Sequence, residues 1–308
     1  MRKINNFVNN CNICGKNNSV SAKEVITKGK TYRLVKCANC GLACINPLPE
    51  AEEIKNSYDS DYYSFNELSS DVKDKASGWR LEARKIFIRY YFGGWGEIGL
   101  WERLSLFFLK SRFGPLSERI GKKGKILDIG AGDGFFLEMV RGLGWEVAGV
   151  ELESGAAVFA SQRGLSVFGG ELVEAKYKDN SFDVVHLSHV LEHTTDPRAT
   201  IREVQRILKP GGKIIIKVPN FLGLAYKIFP QALDIPRHLF HFNKRNLSIL
   251  LSSTGFKNIK IKHYSVGVIQ AHLLKVFQKI YFTPLFLFID IIFNSMRRGD
   301  SFVISAYK

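Results

Sequence analysis

The chain is 308 residues long, 45% hydrophobic and 24% charged, enough for a full α/β core with further modules and too apolar for a disordered polymer. Its net charge of +15 points to an anionic partner, yet no run approaches the ~20 apolar residues of a spanning helix before a charge intervenes, which excludes an integral membrane class. The start, Met1-Arg2-Lys3-Ile4-Asn5-Asn6, offers no apolar h-region, so no signal peptide is readable and a cytoplasmic location is expected.

Near the N-terminus, Cys11-x-x-Cys14 and Cys37-x-x-Cys40 form two knuckles of matched spacing, separated by 22 residues and each followed by glycine. Paired knuckles of this kind place four thiolates at tetrahedral corners, the closed set that a structural Zn²⁺ takes. Residues 1–50 are therefore expected to be a zinc ribbon ligated by Cys11, Cys14, Cys37 and Cys40, with Cys44 a strand residue just past the second knuckle. A disulfide framework does not suit the expected compartment. Residues 51–124 read as a linker followed by a basic apolar helical segment. A net +7 falls on residues 80–125, where Ile86–Phe92, Trp95, Trp101 and Leu106–Leu109 lie among arginines.

From residue 125 strands and helices alternate. Strands are expected at 125–129, 146–150, near 166–168, at 182–187, 213–218 and 256–263, with a closing strand near Phe302–Ala306. Helices are expected from about 134, from Ser154, over 197–208 and over 243–254. This alternation specifies an α/β fold, a doubly wound Rossmann-like parallel sheet whose ligand crevice lies beyond the carboxyl ends of its strands. The first strand passes through Asp128 and breaks into Gly130-x-Gly132-x-Gly134, where a chain must turn tightly and let a ligand approach its backbone. Phe135 stands where a nicotinamide fingerprint has its third glycine, which argues against a dehydrogenase. The second strand ends in Glu151, a carboxylate placed to accept two hydrogen bonds from a ribose diol.

Past the strand at 182–187, His189-Val190-Leu191-Glu192-His193 spells H-x-x-E-H, an inverted zinc-peptidase pattern only on a free helix. Between the strands at 213–218 and 256–263 lies Asp234-Ile235-Pro236-Arg237-His238-Leu239-Phe240-His241. A neutral imidazole suits deprotonation of an acceptor hydroxyl near pH 7, which makes His193 and His238 the candidate catalytic residues. Asp234, Arg237 and His241 are the candidate substrate contacts, Arg237 through a guanidinium fork that matches a phosphate or carboxylate. The competing reading is that Asp234, Arg237 and His238 lock a loop. A helical insertion is expected over 265–298, with Ile269, Leu273, Phe277 and Ile280 at helical spacing, and residues 257–308 carry a net +6. The two basic apolar segments suit an anionic membrane surface or a lid over the acceptor site, and a lid open to a bilayer joins both readings.

The ordered motifs from Lys125 to Lys262, with Ser181-Phe182-Asp183-Val184-Val185, Val190-Leu191-Glu192-His193 and Leu208-Lys209-Pro210-Gly211-Gly212-Lys213, resemble the class I S-adenosylmethionine-dependent methyltransferases, in the group of bacterial small-molecule, sugar and lipid methyltransferases. The resemblance implies a seven-stranded sheet and S-adenosylmethionine as cofactor, with Asp128, Gly130, Gly132 and Gly134 on its methionyl part and Glu151 on the ribose hydroxyls. It further implies Leu152 and Leu172 on the adenine and Ser188 and His189 at the methionyl end. Asn46-Pro47-Leu48-Pro49 resembles the linker that follows the ribbon in zinc-ribbon methyltransferases. A related group of quinone O-methyltransferases has Glu, Glu and His at the positions of His189, Glu192 and His193 to bind a divalent ion, and His189 departs from that set. The function expected is methyl transfer, by preference to oxygen, on a small-molecule acceptor such as a sugar or lipid-linked intermediate. Methylation of RNA and a non-catalytic cofactor-binding module are the alternatives. The absence of an N-P-P-Y-type motif and the apolar setting of the basic residues weigh against nucleic acid.

Overall fold

The structure is a computed structural model and describes residues 10–16, 19–27, 29–57, 78–93, 98–103, 120, 122–223, 226, 228, 233–264 and 299–308. The insertion expected over 265–298 and residues 104–119 of the first basic segment lie outside the described residues.

The N-terminal part is built from β1 (Ser19–Thr27), β2 (Lys30–Cys37) and β3 (Ala43–Ile45), each antiparallel to the next. Gly41, with φ 73°, turns the chain after the second knuckle, and Cys44 falls in β3 as expected. Helices α1 (Ala51–Asn56) and α2 (Gly78–Phe92) follow.

The second sheet comprises β4 (Lys125–Ile129), β5 (Glu146–Glu151), β6 (Val167–Gly169), β7 (Phe182–Ser188), β8 (Leu208–Pro219), β10 (Lys257–Tyr264) and β11 (Ser301–Tyr307). Its seven strands run in the order β10-β11-β8-β7-β4-β5-β6. The pairs β4/β5, β4/β7, β5/β6 and β7/β8 are parallel, and β11 is antiparallel to both β8 and β10. This is the Rossmann-like sheet that the alternation specifies. The chain runs outward from β4 in both directions, so the switch point lies between β4 and β7, and the crevice beyond their carboxyl ends is where a ligand belongs.

Alternate residues of each strand face opposite sides, and both sides are covered. Ile126, Val184, Ile215 and Val303 pack with Phe87, Ile88, Tyr91 and Phe92 of α2 and with Phe136, Leu137 and Val140 of α3 (Phe135–Gly142). The Trp145 indole donates to the Phe92 carbonyl at 2.8 Å, which ties α2 to the sheet. Part of the first basic apolar segment is thus core, although Leu100 and Trp101 beyond it are exposed.

The other face, with Leu127, Val185, Leu187, Ile214 and Ile216, is covered by α5 (Pro197–Ile207) and α6 (Lys244–Ser253), while α4 (Ser154–Gln162) packs beside β5 and β6. Asp196 caps α5 with Pro197 in its first turn, and Asn243 and Asn246 form a capping box on α6. The same apolar cluster continues into Ile13, Leu34, Leu42 and Ile45 of the N-terminal sheet.

A short strand absent from the sequence expectation makes that continuity specific. β9 (Phe240–His241) pairs antiparallel with β3, Ala43 opposite His241 and Cys44 opposite Phe240, giving a four-stranded sheet β1-β2-β3-β9. β8 also starts earlier than expected, because Leu208 already pairs with Phe182 before a register shift. Among the described residues no helix is long and apolar enough to cross a membrane.

Candidate active site

The loop after β4 turns on left-handed glycines. Gly130 has φ 74°, and a Cβ there would overlap Val190 Cγ2. Gly132 has φ 54°, but a Cβ on it would meet no atom within 4 Å. The first glycine is required by the packing of the loop on the segment after β7, whereas the second keeps an open cradle into which a ligand can approach the backbone. Gly134 directly precedes α3 with φ 80°.

Glu151 completes the cradle. Its Oε2 accepts from the Gly132 N–H at 2.7 Å and its Oε1 from the Glu153 N–H at 2.9 Å. Burial raises its pKa, partly offset by those two N–H donors. Each oxygen keeps a further lone pair for a ligand hydroxyl. Leu152, next in the chain, is 73% exposed, an apolar side chain left in water at the rim, and Val173 is likewise exposed. Leu172, in contrast, is buried in the core cluster and packs there. These features fit a nucleoside cofactor: an open glycine cradle, a carboxylate for the ribose and an apolar rim.

Asp128 is buried, with its Oδ1 2.7 Å from His186 Nδ1. Burial lowers the His186 pKa against the pull of Asp128, and the Phe136 ring lies 4.5 Å from the imidazole. The carboxylate expected to reach the cofactor therefore already has a partner inside the protein. On the neighbouring strand, burial brings the Lys217 pKa down to about 8. Ser188 ends β7, half-buried. His189 adopts a left-handed φ of 57°, its N–H donating to the Lys217 carbonyl at 2.9 Å, with Nε2 3.4 Å from the Tyr264 hydroxyl and Nδ1 3.3 Å from Glu192 Oε1.

Across the crevice the tertiary structure joins the two histidine segments. The rings of His193 and His238 meet edge to face with centroids 4.7 Å apart, and His193 Nδ1 lies 3.1 Å from the Arg237 carbonyl. Beside them lies Glu192, 1% exposed, its Oε1 3.3 Å from His189 Nδ1 and its Oε2 without a hydrogen-bond partner among the described residues. Burial works to raise its pKa, but the imidazoles of His189, His193 and His238 outweigh that and hold it below the usual carboxylate value. Ligand atoms of Glu192, His193 and His238 all lie within 4.8 Å of one another.

His238 and His241 line a small pocket with Pro219, Phe221, Tyr226, Leu233 and Phe240. Burial pushes the His238 pKa well down, with the neighbouring His193 adding to the effect, and burial pushes His241 down to about 4. Both are neutral imidazoles near pH 7. Asp234 and Arg237 form an ion pair, Nε to Oδ1 at 2.9 Å with Nη2 on the same oxygen, and the His238 N–H donates to the Asp234 carbonyl at 2.9 Å. Two of the three expected substrate contacts thus bond to each other, while His241 reaches the cavity.

At the N-terminal knuckles, the sulfur atoms of Cys11 and Cys40 are 3.6 Å apart and those of Cys14 and Cys37 3.7 Å. A tetrahedron with Zn–S of 2.3 Å has edges of about 3.8 Å, and the four sulfur atoms all lie within 4.8 Å of one another, a set compatible with a zinc ion.

Three residues of the site went unassigned in the sequence. Glu192 stood inside H-x-x-E-H, a signal that was available, but its burial among three imidazoles is a tertiary property. Tyr226 and Tyr264 carry no motif and are brought in by packing.

A family of proteins described as the methyltransferase domain matches residues 101–261, about half of the sequence. The chain belongs to that family. It is an S-adenosylmethionine-dependent methyltransferase. The methyltransferase is 32% identical over 154 residues to an uncharacterized protein of Methanocaldococcus jannaschii, covering 49% of this chain and 73% of that one. It is 28% identical over 155 residues to the demethylmenaquinone methyltransferase of Staphylococcus saprophyticus, covering 42% of this chain and 66% of that one. Among solved structures, a SAM-dependent methyltransferase from Archaeoglobus fulgidus aligns with a TM-score of 0.47 at 22% identity, over 67% of this chain and 91% of that one.

Proposed function

We propose that this methyltransferase transfers a methyl group to the oxygen of a small-molecule acceptor, a sugar or lipid-linked intermediate, that presents its hydroxyl to the small pocket beside His238. The observation that carries this reading is the neutral His238 imidazole lining a cavity with a buried carboxylate, Glu192, close by. Relatives that include demethylmenaquinone methyltransferases support a small-molecule acceptor, and the exposed Leu100 and Trp101 support a peripheral contact with an anionic membrane surface on the cytoplasmic side. Cys11, Cys14, Cys37 and Cys40 would hold a structural zinc.

Gly130 and Gly132 would face the methionyl part of the cofactor, Glu151 its ribose hydroxyls and Leu152 the base, with Ser188 and His189 toward the reacting end. When bound, S-adenosylmethionine supplies a methyl group already activated on a sulfonium. The protein has then to align the acceptor, exclude water and accept one proton. As the O–C bond forms, the acceptor hydroxyl becomes strongly acidic, so a weak base is sufficient. A ring nitrogen of His238, unprotonated at neutral pH, takes that proton, and the Glu192 carboxylate stabilises the imidazolium. Phe221, Tyr226 and Phe240 wall the cavity against water, and the Asp234–Arg237 pair fixes the loop.

The test is transfer of labelled methyl from S-adenosylmethionine by purified protein to membrane, soluble small-molecule and RNA fractions of a lysate. Label in the organic-extractable membrane fraction is expected. Label in RNA, or none despite binding of S-adenosylhomocysteine, overturns the reading. With an acceptor in hand, His238→Ala should lower kcat by about 10²- to 10⁴-fold with S-adenosylhomocysteine affinity unchanged.

A further inference from the structure

Both knuckles of the N-terminal sheet are bonded to the segments that carry the histidines. At the first, the Arg198 guanidinium on α5 reaches the backbone carbonyls of Asn12 (2.8 Å from Nε) and Ile13 (from Nη2), between the two cysteines. The Asn12 amide donates to Asp196 Oδ1 at 3.3 Å. At the second, the Gly41 carbonyl accepts from Asn243 Nδ2 at 3.0 Å, and two residues later β3 begins its pairing with β9.

Leu239 is the joint. Its N–H donates to the Glu192 carbonyl at 2.9 Å, and its carbonyl accepts from the Ile45 N–H at 3.1 Å. His238 precedes it and His241 is paired with Ala43. The backbone between the two cavity histidines is therefore suspended between the loop after β7 on one side and the edge of the cysteine ribbon on the other. A two-residue strand has too few ladder bonds to hold its own conformation, so its position is that of the edge on which it lies.

We infer that the cysteine ribbon, through the β3–β9 register and Asn243, is the positioning element of the acceptor site: zinc at Cys11, Cys14, Cys37 and Cys40 fixes the edge strand that sets His238 and His241 in the cavity. This rests on the acceptor site being where the proposed function puts it. Cofactor residues on the β4 and β5 loops make no bond to the ribbon in the described residues, so the two halves of the site should respond differently to zinc.

The experiment follows amide hydrogen exchange in the full-length protein, zinc-loaded and after chelation under reducing conditions, with S-adenosylhomocysteine affinity measured by calorimetry in parallel. Removal of zinc should speed exchange of the Leu239 and Ile45 N–H groups at least about tenfold, leave residues 125–134 protected and leave the cofactor affinity within about threefold, with reversal on adding Zn²⁺. Asn243→Asp keeps the side-chain oxygen that caps α6 but loses the donor to Gly41. It should reproduce the faster exchange at Leu239 with zinc still bound and the cofactor affinity intact. Unchanged exchange at Leu239 on zinc removal overturns the inference. So does equal loss of protection throughout the sheet with loss of cofactor binding, which would make zinc a determinant of global stability. Neither readout needs turnover, so a failure to find methyl transfer counts against the proposed function and not against this inference.

Discussion

Gly130 and Gly132 have similar backbone angles and different neighbours, and that difference separates stability from binding. An alanine at either position incurs a left-handed penalty of about 1–2 kcal/mol. Gly130→Ala also overlaps Val190, adding about 1–3 kcal/mol of overpacking, while the methyl of Gly132→Ala points into the open cradle. Thermal denaturation should show Gly130→Ala as the less stable protein, and calorimetry should show Gly132→Ala binding S-adenosylhomocysteine at least about tenfold more weakly. The reverse pattern would mean that the cradle is not the cofactor site. His241 gives a pH dependence. Its folded pKa of about 4 lies below the ordinary histidine value of about 6.5, so between these limits the unfolded chain binds more protons. Its contribution is neutral above about pH 6.5, and as pH falls toward 4 stability is lost, by roughly 3 kcal/mol in all. Urea denaturation at pH 7 and 4.5 should show this acid loss reduced by about 2–3 kcal/mol in His241→Gln. At this scale the residue types were legible, because glycine at a tight turn and imidazole for proton transfer follow from local chemistry. The pairing of Asp128 with His186 and the burial of Glu192 against His238 were not, since each depends on residues brought in from elsewhere.

At the scale of elements, most strands and helices from β4 to α6 were legible to within a few residues, because they are long enough to show their period, although β8 begins at Leu208, five residues before the expected 213. β9 was not. Two residues show no periodicity, and the partner of Phe240 is Cys44, almost 200 positions away. Arg198 on α5 was equally silent, an exposed-looking arginine whose guanidinium satisfies carbonyls of the first knuckle. Arg198→Ala should cost about 1.5–3 kcal/mol in denaturant unfolding of the zinc-loaded protein, the usual range for charged donors on partly buried carbonyls. A loss below about 0.5 kcal/mol would show that the knuckle docks by apolar contact alone.

For the whole molecule, the expected division at residue 50 marks a change in chemistry and not a break in the core. Ile13, Leu42 and Ile45 share one apolar cluster with Leu239, Phe240 and Phe242 and with the strands of the seven-stranded sheet. A chain lacking residues 1–50 should expose that contiguous patch and elute from size exclusion as aggregate, whereas the 308-residue chain should not. A monodisperse, cofactor-binding truncation would show instead that the cluster closes without the ribbon.

The glycine loop, the acidic end of β5, the four thiols and the succession of strands along the chain are local properties, encoded by spacing over a few residues and by the period of apolar positions. The face each polar group occupies, the meeting of His193 and His238 beside Glu192, and the pairing of β9 with the ribbon edge arise in the folded molecule alone. Those outcomes depend on contacts between distant segments, whose free energy comes from a shared apolar core and a few nonlocal hydrogen bonds, and no local pattern records them.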